Sequence, residues 1–189
     1  MKILFLILFA INMFSCLPCF AASKISELDP VEKKELTQGI MTKEGDIIQL
    51  IDEKWLFTKR SPLLKATQTA SLFLEPSVGD GAMTLVCRNG ITAVGITLEK
   101  FLGNTALLVE YAFDDQPIEK IDVRIAEGGQ VFVFQEPLNF IKSILHKERL
   151  TIRVFLPGKG DMELLFDISG SDGVIEPLAK ECGWDLSNK

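Results

Sequence analysis

Cysteine leads the few side chains in this sequence whose type and spacing could support chemistry. Cys16 and Cys19 lie in a leading apolar stretch, whereas Cys87 and Cys182 stand apart in the body of the chain. Cys87 and Cys182 lack the Cys-x-x-Cys spacing of a redox centre, so the chemistry open to them is a structural disulfide, with two buried thiols as the alternative. His146 is the one histidine. A His-based triad and a zinc site of several imidazoles are therefore both excluded, and a place near a helix end suits it to steadying the helix dipole. Asp114-Asp115 beside Gln116-Pro117 could be a carboxylate pair, but the composition is that of a turn. Gly158-Lys159-Gly160 lacks the upstream glycine, the following Ser/Thr and the helix of a phosphate loop. Asp80-Gly81 and Ser171-Asp172-Gly173 offer too few oxygens for calcium. The expectation is no catalytic residue, no metal and no cofactor. Trp55, Arg88, Asp114 and Asp115 remain as candidate contacts for a partner, although Trp55 and Trp184 also suit core or rim packing.

The two ends bound where such chemistry would occur. Met1-Lys2 is followed by an apolar run from Ile3 to Leu17 and then by Pro18-Cys19-Phe20-Ala21-Ala22. A basic start, an apolar core of about 15 residues and a small-residue exit make a secretory signal peptide, too short for a span of about 20 apolar residues. Residues 1–22 are read as that signal, cleaved after Ala21 or Ala22. A retained anchor and a lipoprotein acylated on Cys16 are the alternatives. Cleavage removes Lys2 and no acid, leaving 19 basic residues against 26 acidic ones and a net charge of −7. An acidic chain without a basic run argues against nucleic acid and anionic membrane surfaces as partners. Cleavage also leaves Cys87 and Cys182 as the only two cysteines, which in an oxidising compartment are expected to be bonded.

Strands and helices must position these residues. Asn89-Gly90, between Met83–Arg88 and Ile91–Leu98, is the strongest hairpin signal, because both turn residues tolerate positive φ. A two-residue loop there pairs Arg88 with Ile91, Cys87 with Thr92, Leu85 with Val94 and Met83 with Ile96. Cys87 then faces the same side as Met83, Leu85, Val94 and Ile96. Further strands are expected at Lys54–Lys59, Thr69–Leu74, Leu107–Phe113, Val131–Phe134, Leu150–Leu156 and Met162–Ile168. The alternation of Ile121, Val123 and Ile125 predicts one more. A helix is expected from Pro30, capped by Asp29 and ended by Gly39. A second runs from Leu138 to Lys147 with Leu138, Ile141, Ile144 and Leu145 as its apolar stripe. A terminal helix follows a Ser169–Gly173 loop, with Pro177 in its first turn and Gly183 as its stop. Its Ile175, Leu178, Ala179 and Cys182 share one stripe, so both cysteines face the core. The pattern indicates a mainly β fold: an antiparallel β-sandwich or open barrel with one short internal helix and a C-terminal helix packed on it. Residues 23–46 form a polar, loosely docked lead-in, 47–185 a single β-rich domain and 186–189 a tail.

The order of landmarks resembles the VasI/TagO type of type VI secretion-associated proteins over about residues 55–184. It rests on Trp55 with Ser61-Pro62-Leu63 and Thr67, then Leu85-Val86-Cys87-Arg88 and Val109-Glu110-Tyr111 with Phe113-Asp114. Phe140-Ile141, the strand Leu150–Phe155, Phe166-Asp167-Ile168-Ser169-Gly170 and Leu178-Ala179-Lys180-Glu181-Cys182-Gly183-Trp184 complete it. An additional cysteine pair of that family, one member of it before the tryptophan, has no counterpart here, and Ala112 stands where it carries an arginine. The resemblance implies a periplasmic or secreted, non-enzymatic accessory module with a protein partner in the cell envelope or outside the cell, and no stable membrane span after cleavage. An inhibitor of an envelope hydrolase such as lysozyme is the alternative, with Pro76–Gly81 or Asp114–Pro117 as the inserting loop, and a secreted effector is a third.

Overall fold

A computed structural model describes residues 25–42, 46–60, 69–99, 108–126, 128–156 and 160–186. The expected signal peptide with Cys16 and Cys19, the Ser61-Pro62-Leu63 break, the Pro157-Gly158-Lys159 part of the last turn and residues 187–189 lie outside them. Within them run twelve strands: β1 (Ile40–Met41), β2 (Ile47–Ile51), β3 (Trp55–Arg60), β4 (Thr69–Leu74), β5 (Gly81–Arg88), β6 (Ile91–Leu98), β7 (Leu108–Phe113), β8 (Glu119–Ile121), β9 (Val123–Ile125), β10 (Val131–Phe134), β11 (Arg149–Leu156) and β12 (Gly160–Asp167). Three α-helices accompany them: α1 (Pro30–Gln38), α2 (Pro137–Ile144) and α3 (Ser171–Cys182).

Asn89 and Gly90 adopt φ of 52° and 77°, the left-handed pair that a tight hairpin requires. The register that follows is the expected one, from Arg88 opposite Ile91 to Met83 opposite Ile96. Every pairing is antiparallel, in an eight-stranded sheet ordered β1-β2-β3-β4-β5-β6-β10-β9 and a four-stranded sheet ordered β12-β11-β7-β8. Side chains alternate across each strand, so one face of each sheet turns inward. Leu72, Met83, Leu85, Val94 and Ile96 of the large sheet meet Val109, Ile152, Val154, Leu164 and Phe166 of the small one, all fully buried. The fold is mainly β, an antiparallel β-sandwich with helices packed on it.

Four departures from the expected elements have physical causes. The Ile121–Ile125 stretch is two strands: β8 pairs with β7 in the small sheet, and β9 pairs with β10 in the large one. The chain changes sheets at Asp122. Helix α2 stops at Ile144, because Leu145 is extended and His146 is left-handed at φ 62°. Its buried residues are Phe140, Ile141 and Ile144, while Leu138 is 37% exposed. Phe140 wins that place by stacking on Phe134 with ring centroids 4.1 Å apart. Helix α3 begins at Ser171, inside the expected loop, and Pro177 sits within it. The proline is on the exposed side, where its missing N–H leaves the Gly173 carbonyl to solvent.

The fourth departure is the lead-in, whose apolar side chains are buried against the sheet where loose docking was expected. Asp29 accepts hydrogen bonds from the N–H groups of Val31 and Glu32, and Glu32 accepts one in return from the Asp29 N–H. This capping box fixes α1. Ile25, Leu28 and Leu36 are buried with Ile48, Leu50 and Leu56 on the outer face of the large sheet. Strand β3 is therefore covered twice, Trp55 and Phe57 facing the sandwich core and Leu56 facing the lead-in. Among the described residues no helix is long and apolar enough to cross a membrane.

Candidate functional site

Alternation along β5 turns Cys87 inward, between Ala70 of β4 and Thr92 of β6, and leaves it buried. On α3, Ile175, Leu178 and Ala179 are buried and Cys182 continues their stripe at the helix end, half-buried. The two thiols come together and interact directly; each is unbonded in the structure. Burial, then the neighbouring Cys87 thiol and the Glu181 carboxylate, push the Cys182 thiol far above its ordinary range. A thiol so hard to ionise is a poor nucleophile, which leaves it to a tie rather than to catalysis.

The residues around Cys182 fasten the same helix end. Glu181 accepts a hydrogen bond from the Lys59 ammonium at 2.7 Å. Gly183, left-handed at φ 66°, turns the chain back, and its N–H bonds the Ala179 carbonyl. The Trp184 indole N–H then donates to the Thr92 hydroxyl at 2.6 Å, and Thr92 is the cross-strand partner of Cys87. Within four residues, the end of α3 is attached to β3, β5 and β6.

The other sequence candidates do not converge. Trp55 is 0% exposed inside the main core, so no partner can touch it; the start of β3 is covered on both faces. Asp114 is left-handed at φ 50°, and its carboxylate accepts the N–H groups of Glu148 at 3.0 Å and Arg149 at 2.9 Å. The Arg149 hydrogen bond, opposed by partial burial and reinforced by the Glu148 N–H and the Lys147 and Arg149 charges, holds that carboxyl below its usual range. Asp115 pairs with the Arg149 guanidinium at 2.8 Å. Together the two aspartates fix the start of β11. Arg88 is exposed at the hairpin end, in the other sheet. His146 lies just past α2, with Nδ1 3.0 Å from Asp172 at the start of α3. Among the described residues no group of three or more His, Cys, Asp or Glu is placed to hold a metal ion.

One cluster had no signal in the sequence. The Lys54 ammonium reaches the Ser169 hydroxyl at 2.7 Å and the Asp167 carboxylate at 2.8 Å, and Ser169 also donates to Asp167 at 2.6 Å. Burial raises the Asp167 pKa, but the Lys54 contact and the hydrogen bonds from the Ser169 hydroxyl and backbone N–H outweigh it and hold the carboxyl low. A Ser–Lys pair can be nucleophilic, but here an ionised carboxylate completes an ion pair. The cluster ties the β2–β3 turn to the β12–α3 turn across 115 positions of sequence. Beside it is an open depression of about 280 Å³, bordered by Ser77, Glu148, Arg149, Asp167 and Ser169.

No protein-family model matches this chain, and neither does any curated protein. Among solved structures, the crystal structure of invasion associated protein b from Bartonella henselae is similar to it. The identity is 14%, the alignment covers 67% of this chain and 92% of that one, and the TM-score is 0.47. A likeness of that degree carries no functional assignment.

Proposed function

We propose that this chain is an exported, non-catalytic protein-binding module of the VasI/TagO type. It acts in the periplasm or outside the cell after residues 1–22 are removed, with Cys87 and Cys182 bonded. The observation that carries the reading is the meeting of those two cysteines. A strand and a helix 95 positions apart bring them together in a protein with no other cysteine after residue 19. Such a lone, inward-facing pair is what an oxidising compartment turns into a structural disulfide. The remaining reactive groups support a binding role, since Asp114, Asp115, His146 and the Lys54–Asp167–Ser169 cluster all act as ties between elements.

The inhibitor reading draws less support, because it needs a loop that stands clear. Ser77 and Val78 hydrogen-bond to Leu165 along the edge of β12, and Asp114 is occupied as a cap. The test is affinity purification of the tagged, exported chain from cross-linked envelope. Enrichment of a secretion or cell-wall component is expected, and recovery of neither would sink the reading. Slowing of lysozyme by a stoichiometric excess of the chain would favour the inhibitor instead.

A further inference from the structure

We infer that the end of the β5–β6 hairpin, on the outer face of the large sheet, docks an acidic protein segment. This rests on the protein-binding reading above and names the surface and the chemistry of the partner. The pairing registers place Arg60, Thr69, Arg88 and Ile91 opposite one another in one row across β3, β4, β5 and β6. Alternation puts that row on the face opposite Cys87. Two strand spacings separate Arg60 from Arg88, or about 10 Å.

Arg88 is exposed and makes no ion pair among the described residues. Arg60 is 40% exposed at its side chain and reaches Asp46 only at 3.8 Å, long for a charge-assisted hydrogen bond. Ile91 is 73% exposed at the end of the row, with half-buried Val86 and Ala93 in the row behind. The small sheet is different. Its outer row runs Lys120, Glu110, Arg153, Glu163 across β8, β7, β11 and β12, and so neutralises itself.

In a chain of net charge −6, Arg88 without an ion pair among the described residues and Arg60, paired with Asp46 only at 3.8 Å, form beside an exposed isoleucine a local positive, apolar-edged patch. Its complement carries carboxylates about 10 Å apart with an aliphatic side chain near them. The patch is also rigid. Cys87 and Thr92, immediately behind it, are held by the end of α3, so little order remains to be imposed on binding.

The test places a photo-cross-linking phenylalanine analogue at position 91 of the full chain, in the cells that export it, with position 118 as the control. Ile118 is 61% exposed and precedes β8 of the small sheet. A discrete adduct from position 91 is expected, its cross-linked peptide rich in Asp and Glu. It should fall about tenfold or more with Arg88→Glu, survive Arg88→Lys, and leave the melting temperature unchanged. An adduct indifferent to Arg88→Glu, one of twice the chain mass from a second copy, or none from position 91 would overturn the proposal. A partner captured from position 118 alone would leave the binding reading standing and remove this surface. Silence at both positions together with an empty purification would remove both.

Discussion

On the proposed reading of an exported chain, oxidation of Cys87 and Cys182 should dominate its stability. The bond would close 95 residues of chain, for which loop-closure entropy gives about 4–5 kcal/mol at room temperature. Domains of this size have about 5–15 kcal/mol in all, and each kcal/mol moves the melting temperature by about 2–4 °C. Reduction, Cys87→Ala, Cys182→Ala and the double substitution should therefore each lower the melting temperature by about 8–20 °C. The four losses should be nearly equal, because each removes the same link. Reductant should have no further effect on any variant. The reduced protein adds a second signature. Its Cys182 thiol, pushed above its ordinary 9.0 by burial, stays protonated in the folded state where the unfolded chain has already ionised. The folded state then binds more protons, so stability is full below about pH 9 and declines as pH rises further. The oxidised protein lacks that thiol, and the difference between the two forms isolates it from the Tyr111 hydroxyl, which burial and Glu119 push up to about 12. Thermal melts with and without reductant across pH, joined to mass spectrometry of unreduced peptides, decide the matter. Two alkylatable thiols in exported protein, additive alanine effects and indifference to reductant would refute the reasoning.

Two further perturbations separate kinds of constraint. An added Cβ at Gly90 meets nothing within 4 Å, so Gly90→Ala should cost only the left-handed backbone penalty of about 1 kcal/mol. At Gly79 a Cβ would lie 2.5 Å from the Glu163 carbonyl oxygen at φ 92°, so Gly79→Ala should cost more and free the Ser77–Val78 lacing from β12. Denaturant melts measure both, with exchange of the Leu165 amide reporting the lacing. Asp114, held low by the Arg149 N–H and its neighbours, favours the folded state at neutral pH. That contribution is lost as pH falls below about 4, through its lowered folded pKa. Asp114→Asn should flatten this acid limb, and an unchanged limb would mean the carboxylate charge is idle.

The sequence made the hairpin legible because Asn-Gly specifies both a turn and a register, and register decides which face every neighbour takes. The same arithmetic on β5 and α3 brought Cys87 and Cys182 to one core. It failed where two arrangements share one period. Ile121, Val123 and Ile125 alternate identically whether they pair with one sheet or with two, so the switch at Asp122 left no trace. Ile25, Leu28 and Leu36 are spread among charged residues, and only the uncovered Ile48, Leu50 and Leu56 of the sheet explain their burial. The surroundings of the site candidates were hidden for a related reason. Turn composition at Asp114-Asp115 was visible, but not that one carboxylate closes onto β11 from 34 residues away. Nor could any local pattern join Lys54 to Ser169.

The passage of the chain from one sheet to the other at Asp122 has a mechanical consequence. In a sandwich whose sheets meet only through side chains, pulling them apart separates apolar surfaces and loads no covalent link along the seam. Here β8 belongs to one sheet and β9 to the other, with the backbone at Asp122 as the joint. Any force that opens this side of the sandwich is carried in tension by the main chain. It must shear a hydrogen-bonded ladder on one side or the other before the layers can part.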